Sequence, residues 1–156
     1  MDDQETGQQL VHLLRGLTVE FNLLGSQFAE ANRLHFTDLR ALIHLLDAVR
    51  AGTAATPGWL GEQLGLNSAS TTALIDRLEK AGHVRRVRDS RDRRRVHLVV
   101  EERAIALGWS FFGPLITGLV TAMRSFSQAE LDAVRRFLLT MTEAVVGIRR
   151  APEESR

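Results

Sequence analysis

The feature that most constrains the fold is an ordered series of helix and turn signals within residues 56–100. Thr56-Pro57 places a capping hydroxyl before a proline at the first helical position, and Gly65 ends this short helix. A second helix is predicted to begin near Asn67 or Ser68 and to run to Lys80. Two segments suited to strands follow it, Val84 to Arg88 and Val96 to Val100. Helix, glycine turn, helix and hairpin is the order of a winged helix-turn-helix.

The loop between the two predicted strands is rich in arginine and reads Asp89-Ser90-Arg91-Asp92-Arg93-Arg94-Arg95. Residues 57–100 contain nine Lys or Arg and five Asp or Glu, a net charge of +4, whereas the whole chain carries +1. A basic region in a nearly neutral chain is typical of a focused nucleic-acid contact. Arginine suits phosphates and base edges because its planar guanidinium carries five donors in fixed positions. The run therefore predicts a hairpin tip that binds DNA, and a solvated charged turn is the plainer alternative.

The second helix is predicted to read bases in the major groove. Its small hydroxyl and methyl groups allow close approach, and thymine methyls would meet Thr72 or Ala73. Serine and threonine also begin helices for structural reasons, so the role of each stays open. Arg91, at the wing tip, is placed to enter the adjacent minor groove. The predicted DNA-binding residues are Ser68, Ser70, Thr72, Ala73, Arg77, Arg86, Asp89, Arg91, Arg94 and Arg95.

Helical patterns flank this region on both sides. Apolar residues recur at helical intervals over residues 8–31, Thr37 is expected to cap a helix that ends at Gly52, and Ser127 to Glu130 form a capping box. The predicted fold class is mainly α with a small β-hairpin wing. A winged helix-turn-helix at 37–100 lies between terminal dimerisation helices at 8–31 and 101–148, all within one domain, 1–156. The terminal helices are too apolar for the 44 residues 57–100 to cover, which predicts a homodimer.

One segment allows a different interpretation. Residues 104–123 carry no charge, and twenty such residues can span a bilayer. A soluble helix buried in a dimer would look the same. We expect the dimer helix and no membrane contact, because the segment follows the predicted hairpin without a linker.

The sequence gives little support for a secreted protein, a thiol-dependent protein, an enzyme or a metal-binding protein. The chain has no cysteine, which excludes disulfides, zinc-finger thiolates and thiol-based sensing and is compatible with the cytoplasm. Its acidic, polar start is no secretory signal. No nucleophile elbow, phosphate-binding loop, dinucleotide fingerprint or His-x-x-x-His motif occurs, so we expect no enzyme and no cofactor. His35, His44 and Glu20 are the one set that could converge on zinc, and we expect no metal there.

These motifs together resemble the multiple antibiotic resistance regulator (MarR) family. The family's wing pattern, Asp-x-Arg-x-x-Arg-Arg, is complete as Asp89, Arg91, Arg94 and Arg95, and residues 74–82 look like the end of its recognition helix. Six helices, with the wing between the fourth and fifth, match over residues 8–148. The resemblance implies a cytoplasmic homodimer built on the first, fifth and sixth helices. It also implies binding to palindromic double-stranded DNA, usually as a repressor.

The resemblance further assigns roles within the wing. It implies that Arg91 is the minor-groove residue and that Asp89 braces the wing through a salt bridge, with Arg77 as a candidate partner. Arg94 and Arg95 would contact phosphate or brace the hairpin. Many family members carry a long polar residue where Ser68 and Ala73 stand, so the operator sequence stays open.

The resemblance also implies a pocket for a small aromatic or anionic effector. Plain core packing is the alternative for each aromatic residue. Two further functions stay open: a winged-helix protein used for protein–protein contacts, in an architectural or antirepressor role, and a membrane-tethered DNA binder. The candidate pocket residues are Phe21, Phe28, His35, Phe36, Trp109 and Phe112.

Overall fold

The computed structural model describes residues 3–89, 92 and 95–151 and confirms a mainly helical fold with one hairpin. Its elements are α1 (Asp3–Ala31), α2 (Phe36–Arg50), α3 (Pro57–Leu64), α4 (Ser68–Lys80), β1 (Val84–Arg88), β2 (Val96–Val100), α5 (Glu102–Met123) and α6 (Gln128–Arg150). The chain divides into two compact units, residues 1–111 and residues 112–156.

The core of the first unit holds α4 in place. The helix turns one stripe inward, as its apolar spacing predicts, and this stripe meets side chains from α2, α3 and the hairpin. Each fully buried leucine or isoleucine contributes about 1.5–3 kcal/mol relative to an exposed one. The large side chains that are almost completely buried are Leu45, Leu60, Leu74, Ile75, Leu78 and Val84.

The turns around α3 and α4 follow from local chemistry. The Thr56 hydroxyl accepts a hydrogen bond from the Trp59 N–H at 3.2 Å, with Pro57 following at the first helical position. Gly65 has φ of 67°, in the left-handed region that glycine tolerates best. Asn67 then caps α4, because its side-chain oxygen accepts from the Ser70 N–H at 2.9 Å. The short helix, the turn and the second helix are therefore as predicted.

The two strands form an antiparallel hairpin in which Val84 pairs with Val100 and Arg88 with Val96. Backbone hydrogen bonds tie it to the rest of the unit. The Leu98 N–H donates to the Ala55 carbonyl at 2.8 Å, in the loop before α3. The base of the wing is therefore attached to the helix-turn-helix and does not project from it alone.

The beginning of α2 differs from the sequence prediction. The helix starts at Phe36, and His35 occupies the extended capping position with no side-chain cap, so the assignment of Thr37 as the cap was wrong. The turn before it contains Arg33 with φ of 57°, and there the Leu34 N–H donates to the Ala29 carbonyl at 2.8 Å. The helix also ends at Arg50, two residues before Gly52, and α1 begins at Asp3, earlier than predicted.

The last two helices leave most of their apolar side chains exposed. α6 opens with the predicted capping box between Ser127 and Glu130, and none of its residues is buried. Ala104 is the one buried residue of α5. By length and composition α5 is, among the described residues, the one helix that could cross a membrane: its mean hydropathy is 1.5 and 6% of that stretch is buried.

Candidate nucleic-acid interface

The outer face of α4 is a surface of short side chains. Ser68, Ser70, Thr72 and Ala73 are all exposed, as predicted. The Thr72 hydroxyl donates to the Ser68 carbonyl at 2.9 Å, so it turns back onto its own helix. A face without long side chains lets the helix backbone come close to the floor of a groove.

The packing of α3 against α4 is close because Gly61 has no side chain. A Cβ at Gly61 would lie 2.7 Å from the Thr71 hydroxyl, which is nearer than van der Waals contact allows. Thr71 itself is buried, and its hydroxyl donates to the Asn67 carbonyl at 2.8 Å. The two helices are thereby fixed against each other at the N-terminal end of α4.

Asp89 organises the base of the wing loop. Its N–H donates to the Arg95 carbonyl at 2.9 Å, and its Oδ1 accepts from the Asp92 N–H at 3.1 Å. Its Oδ2 lies 2.8 Å from His97 Nε2 on the second strand. Arg95 is exposed, whereas Arg91 and Arg94 lie outside the described residues.

Arg77 does not pair with Asp89, and that expectation from the resemblance was wrong. Its Nη2 lies 2.6 Å from Asp38 Oδ1, and its Nε donates to Asp38 Oδ2 at 3.4 Å. The hydrogen bond that Arg77 donates to Asp38 raises the pKa of Arg77 above its usual value. Burial opposes this rise, and the charge of Asp38 supports it. The pair joins α4 to the first turn of α2.

Arg86 is held by two carboxylates of α4. Its Nη2 lies 2.7 Å from Asp76 Oδ1, and its Nη1 bonds to Glu79 Oε2. Glu79 Oε1 also accepts the backbone N–H of Arg86 at 2.8 Å. Burial lowers the pKa of Arg86, but the hydrogen bonds that Arg86 donates to Asp76 and Glu79, together with the charges of these two carboxylates, outweigh it, and the pKa is raised overall. The guanidinium therefore braces the wing against α4, although the sequence suggested a contact with DNA.

Four side chains that pair with predicted site residues were not themselves predicted: Asp38, Asp76, Glu79 and His97. Asp76 and Glu79 stand three residues apart, which places them near each other on a helix. Their spacing offered a signal, but it does not show which cation they meet. A second cation of the hairpin is also paired, since Arg85 Nε lies 2.6 Å from Glu101 Oε1.

The residues predicted to line an effector pocket differ in their packing and in their exposure to solvent. The ring centroids of Phe28 and Phe111 lie 4.3 Å apart at an interplanar angle of 36°. Phe36 packs over Gly25, where a Cβ would lie 3.0 Å from its ring. The other candidates do not share one environment: Phe21 is 41% exposed, Trp109 is 68% exposed, His35 is exposed at the cap of α2, and Phe112 belongs to the second unit.

The described part of the chain contains no group of three or more His, Asp or Glu side chains that could hold a metal ion. His35, His44 and Glu20 thus do not converge in this structure.

Comparison with known proteins agrees with this geometry. A family model described as MarR family matches residues 34–95. The uncharacterized HTH-type transcriptional regulator YcgE of Bacillus subtilis is 34% identical over 134 residues, which are 86% of this chain and 84% of that protein.

Solved structures share the fold. A mutant of MepR from a multidrug-resistant Staphylococcus aureus isolate superposes with a TM-score of 0.74 at 18% identity, over 87% of this chain and 96% of that one. A complex of S. aureus MepR with DNA gives a TM-score of 0.58 at 18% identity, over 86% and 98% of the two chains.

The family is one of transcriptional regulators and not of enzymes, and the relative from B. subtilis is a transcriptional regulator as well. The helix-turn-helix, the hairpin wing and the similarity to YcgE over most of both chains lead to one conclusion. The chain belongs to the MarR family of DNA-binding, winged helix-turn-helix transcriptional regulators.

Proposed function

We propose that the protein is a cytoplasmic homodimer that binds a pseudo-palindromic operator, represses neighbouring genes and is released by a small aromatic or anionic effector. The observation that carries the DNA-binding part is the exposed face of α4 beside a wing whose base is fixed by Asp89. A helix without protruding side chains, next to a basic hairpin, suits insertion into the major groove.

The dimer is supported by apolar side chains that a single chain leaves in water. Exposed patches of this kind mark interaction surfaces, because burying them contributes about 25 cal/mol for each Å² removed from water. Most of them occur on the helices that flank the DNA-binding region. Among the most exposed on these helices are Val11 and Leu13 of α1, Trp109 and Val120 of α5, and Leu139, Val145 and Ile148 of α6.

Genome-wide footprinting with the purified protein tests the operator, and sedimentation velocity tests the dimer. We expect protected inverted repeats with half-sites about one helical turn, 10–10.5 base pairs, apart. Deletion of the gene should raise expression of the genes beside the protected sites. A monomer at micromolar concentration would contradict the dimer, and lowered expression on deletion would identify an activator.

The wing assignment has its own test. We propose that Arg91 enters the minor groove and that Arg94 and Arg95 contact phosphate. Arg91→Ala should weaken operator binding strongly while the protein stays a folded dimer. Arg50→Ala, which removes an exposed arginine of α2, is the matched control. Equal affinity of the two variants would contradict the role of Arg91.

The effector is supported by the aromatic residues around the start of α2. Exposed His35 and Phe36 lie within five residues of Arg33 and Arg40 in the sequence, which suits an aromatic ring that carries an acid. A thermal-shift screen of aromatic carboxylates, followed by release of operator DNA, tests this part. If no member of the screen stabilises the protein or releases the DNA, the result contradicts an aromatic-acid effector and favours an effector-free regulator.

The composition of α5 favours one alternative, a membrane-tethered DNA binder. We propose instead that its apolar side chains are buried between two copies. Fractionation separates the two cases: the dimer remains in the soluble extract, and a tethered protein sediments with membranes until detergent is added.

A further inference from the structure

Asp76 extends the exposed stripe of α4 toward its C-terminal half. Ser68, Thr72 and Asp76 are spaced four residues apart, so they lie along one side of the helix. Eight residues correspond to about 12 Å along the axis, or roughly three to four base pairs at 3.4 Å each. The side chain of Asp76 is 61% exposed. It is therefore positioned to reach a base pair beyond those that Ser68 and Thr72 would meet.

One oxygen of Asp76 is occupied and the other is available. Oδ1 accepts from Arg86 Nη2 at 2.7 Å, while Glu79 holds the other arm of the same guanidinium. No described residue donates a hydrogen bond to Oδ2. The carboxylate is thus held in one orientation with a free acceptor.

Arg86 reduces the charge problem that a carboxylate meets near DNA. An isolated Asp on this face would be repelled by the phosphates. The guanidinium 2.7 Å away offsets the charge of Asp76 in part, because Glu79 shares it and the three side chains together keep a net negative charge. The repulsion from the phosphates is therefore smaller than for an unpaired carboxylate.

The rest of α4 offers no arginine free to read guanine. Arg77, the one arginine of the helix, is held by Asp38. Along the exposed stripe of α4, base reading therefore depends on short hydroxyl and methyl groups and on an acceptor, and Lys80 in the last turn is the remaining cation of the helix. In the major groove a carboxylate pairs with the amino group of cytosine, N4.

We propose that Asp76 is a specificity-determining residue that accepts a hydrogen bond from N4 of a cytosine in each half-site, with Arg86 as its positioning residue. This inference rests on the proposed binding of α4 to an operator. It predicts that each half-site of the operator carries a cytosine at one position, and that the two positions are related by the two-fold symmetry of the dimer.

Selection from a random DNA library by the wild type and by variants of full length tests the assignment. The wild type should enrich cytosine at one symmetrically repeated position, by about 5- to 150-fold over other bases. Asp76→Asn keeps an oxygen for Arg86 but adds a donor, so it should shift that position toward adenine. Asp76→Ala should accept all bases there. Asp47→Asn, which alters an exposed carboxylate of α2, should leave the motif unchanged.

A purely structural brace would behave differently. If Asp76 served only to hold Arg86, its loss would weaken binding to all sequences alike and leave the preferred bases unchanged. Arg86→Ala should reduce the preference for cytosine without replacing it by another base. Circular dichroism melts of each variant establish that the selected DNA reports on folded protein.

Two results would overturn the inference, and they differ. Identical motifs for the wild type, Asp76→Asn and Asp76→Ala overturn the role of Asp76 alone. A folded wild type that enriches no sequence overturns the proposed operator binding, and the role of Asp76 with it.

Discussion

Arg77 Nη2 lies 2.6 Å from Asp38 Oδ1, across 39 residues of sequence, and joins α4 to the first turn of α2. The two side chains differ in exposure: 44% for Arg77 and 5% for Asp38. Asp38 lies two residues after Phe36, in the first turn of α2. The helix that we propose faces DNA is thus connected by one ion pair to the corner where an effector is proposed to bind.

Removal of Arg77 should destabilise the fold. Arg77→Ala leaves a buried carboxylate without its cation, which costs about 1–3 kcal/mol of unfolding free energy. Chemical denaturation measures the difference. Arg50→Ala is the control, because Arg50 and Asp47 are both largely exposed and such pairs contribute about 0–1 kcal/mol. If the two variants lose similar amounts of unfolding free energy, the ion pair between Arg77 and Asp38 stabilises the fold no more than an exposed pair does.

The local elements were predictable because their signals are local. Thr56-Pro57, Gly65 and the Ser127–Glu130 box each fix a helix end through neighbours within a few residues, and each lies where the sequence placed it. The inward stripe of α4 follows from its apolar period alone. The position of the wing after α4 follows from the same order of signals.

The partners within the site were less predictable because they depend on three-dimensional register. An arginine in a basic hairpin looks like a DNA contact, yet Arg86 faces two carboxylates of the preceding helix. Similarly, Asp89 meets His97 only once the two strands are paired in register. The sequence shows which charged residues are present, but which of them form ion pairs depends on how the helices and strands pack.

His83 should make stability depend on pH. Burial, and next the charge of Arg103, lower the pKa of His83, while Asp38 opposes them. His83 is 5% exposed, and its Nδ1 has no hydrogen-bond partner among the described residues. The unfolded chain therefore takes up a proton more readily than the folded one as pH falls below about 6.5.

The stability that His83 contributes is present above the unfolded pKa and is lost as pH falls toward the lower folded value. The slope should not exceed about 1.4 kcal/mol per pH unit for one proton. Urea titrations between pH 8 and pH 5.5 measure it. His83→Leu should flatten the curve, and the exposed His12→Leu should not. A curve that His83→Leu leaves unchanged would assign the pH dependence to other groups.

Salt dependence should distinguish a phosphate contact from a brace in the wing. Arg95 is exposed and has no ion pair with another described residue, whereas Arg86 is held by Asp76 and Glu79. Each phosphate contact adds about 0.9 to the slope of log K against log salt concentration. Arg95→Ala should therefore lower the slope by about 1.8 in a dimer. Arg86→Ala should weaken binding with the slope unchanged. The reverse result would make Arg86 the phosphate ligand.

At Gly65, in the turn between α3 and α4, replacement by alanine should destabilise the protein. Gly65 has φ of 67° and ψ of 34°, and no atom lies within 4 Å of the Cβ that Gly65→Ala would add. The cost of the substitution is therefore backbone strain alone, about 1–2 kcal/mol. Gly58→Ala is the matched control: its surroundings are equally open, but its φ is not positive, so it should stabilise α3 by about 0.4–1 kcal/mol. Opposite signs in denaturation experiments would show that the left-handed turn requires glycine. Equal signs would mean that the turn relaxes to accept a side chain, and the spacing of α3 and α4 would not depend on Gly65.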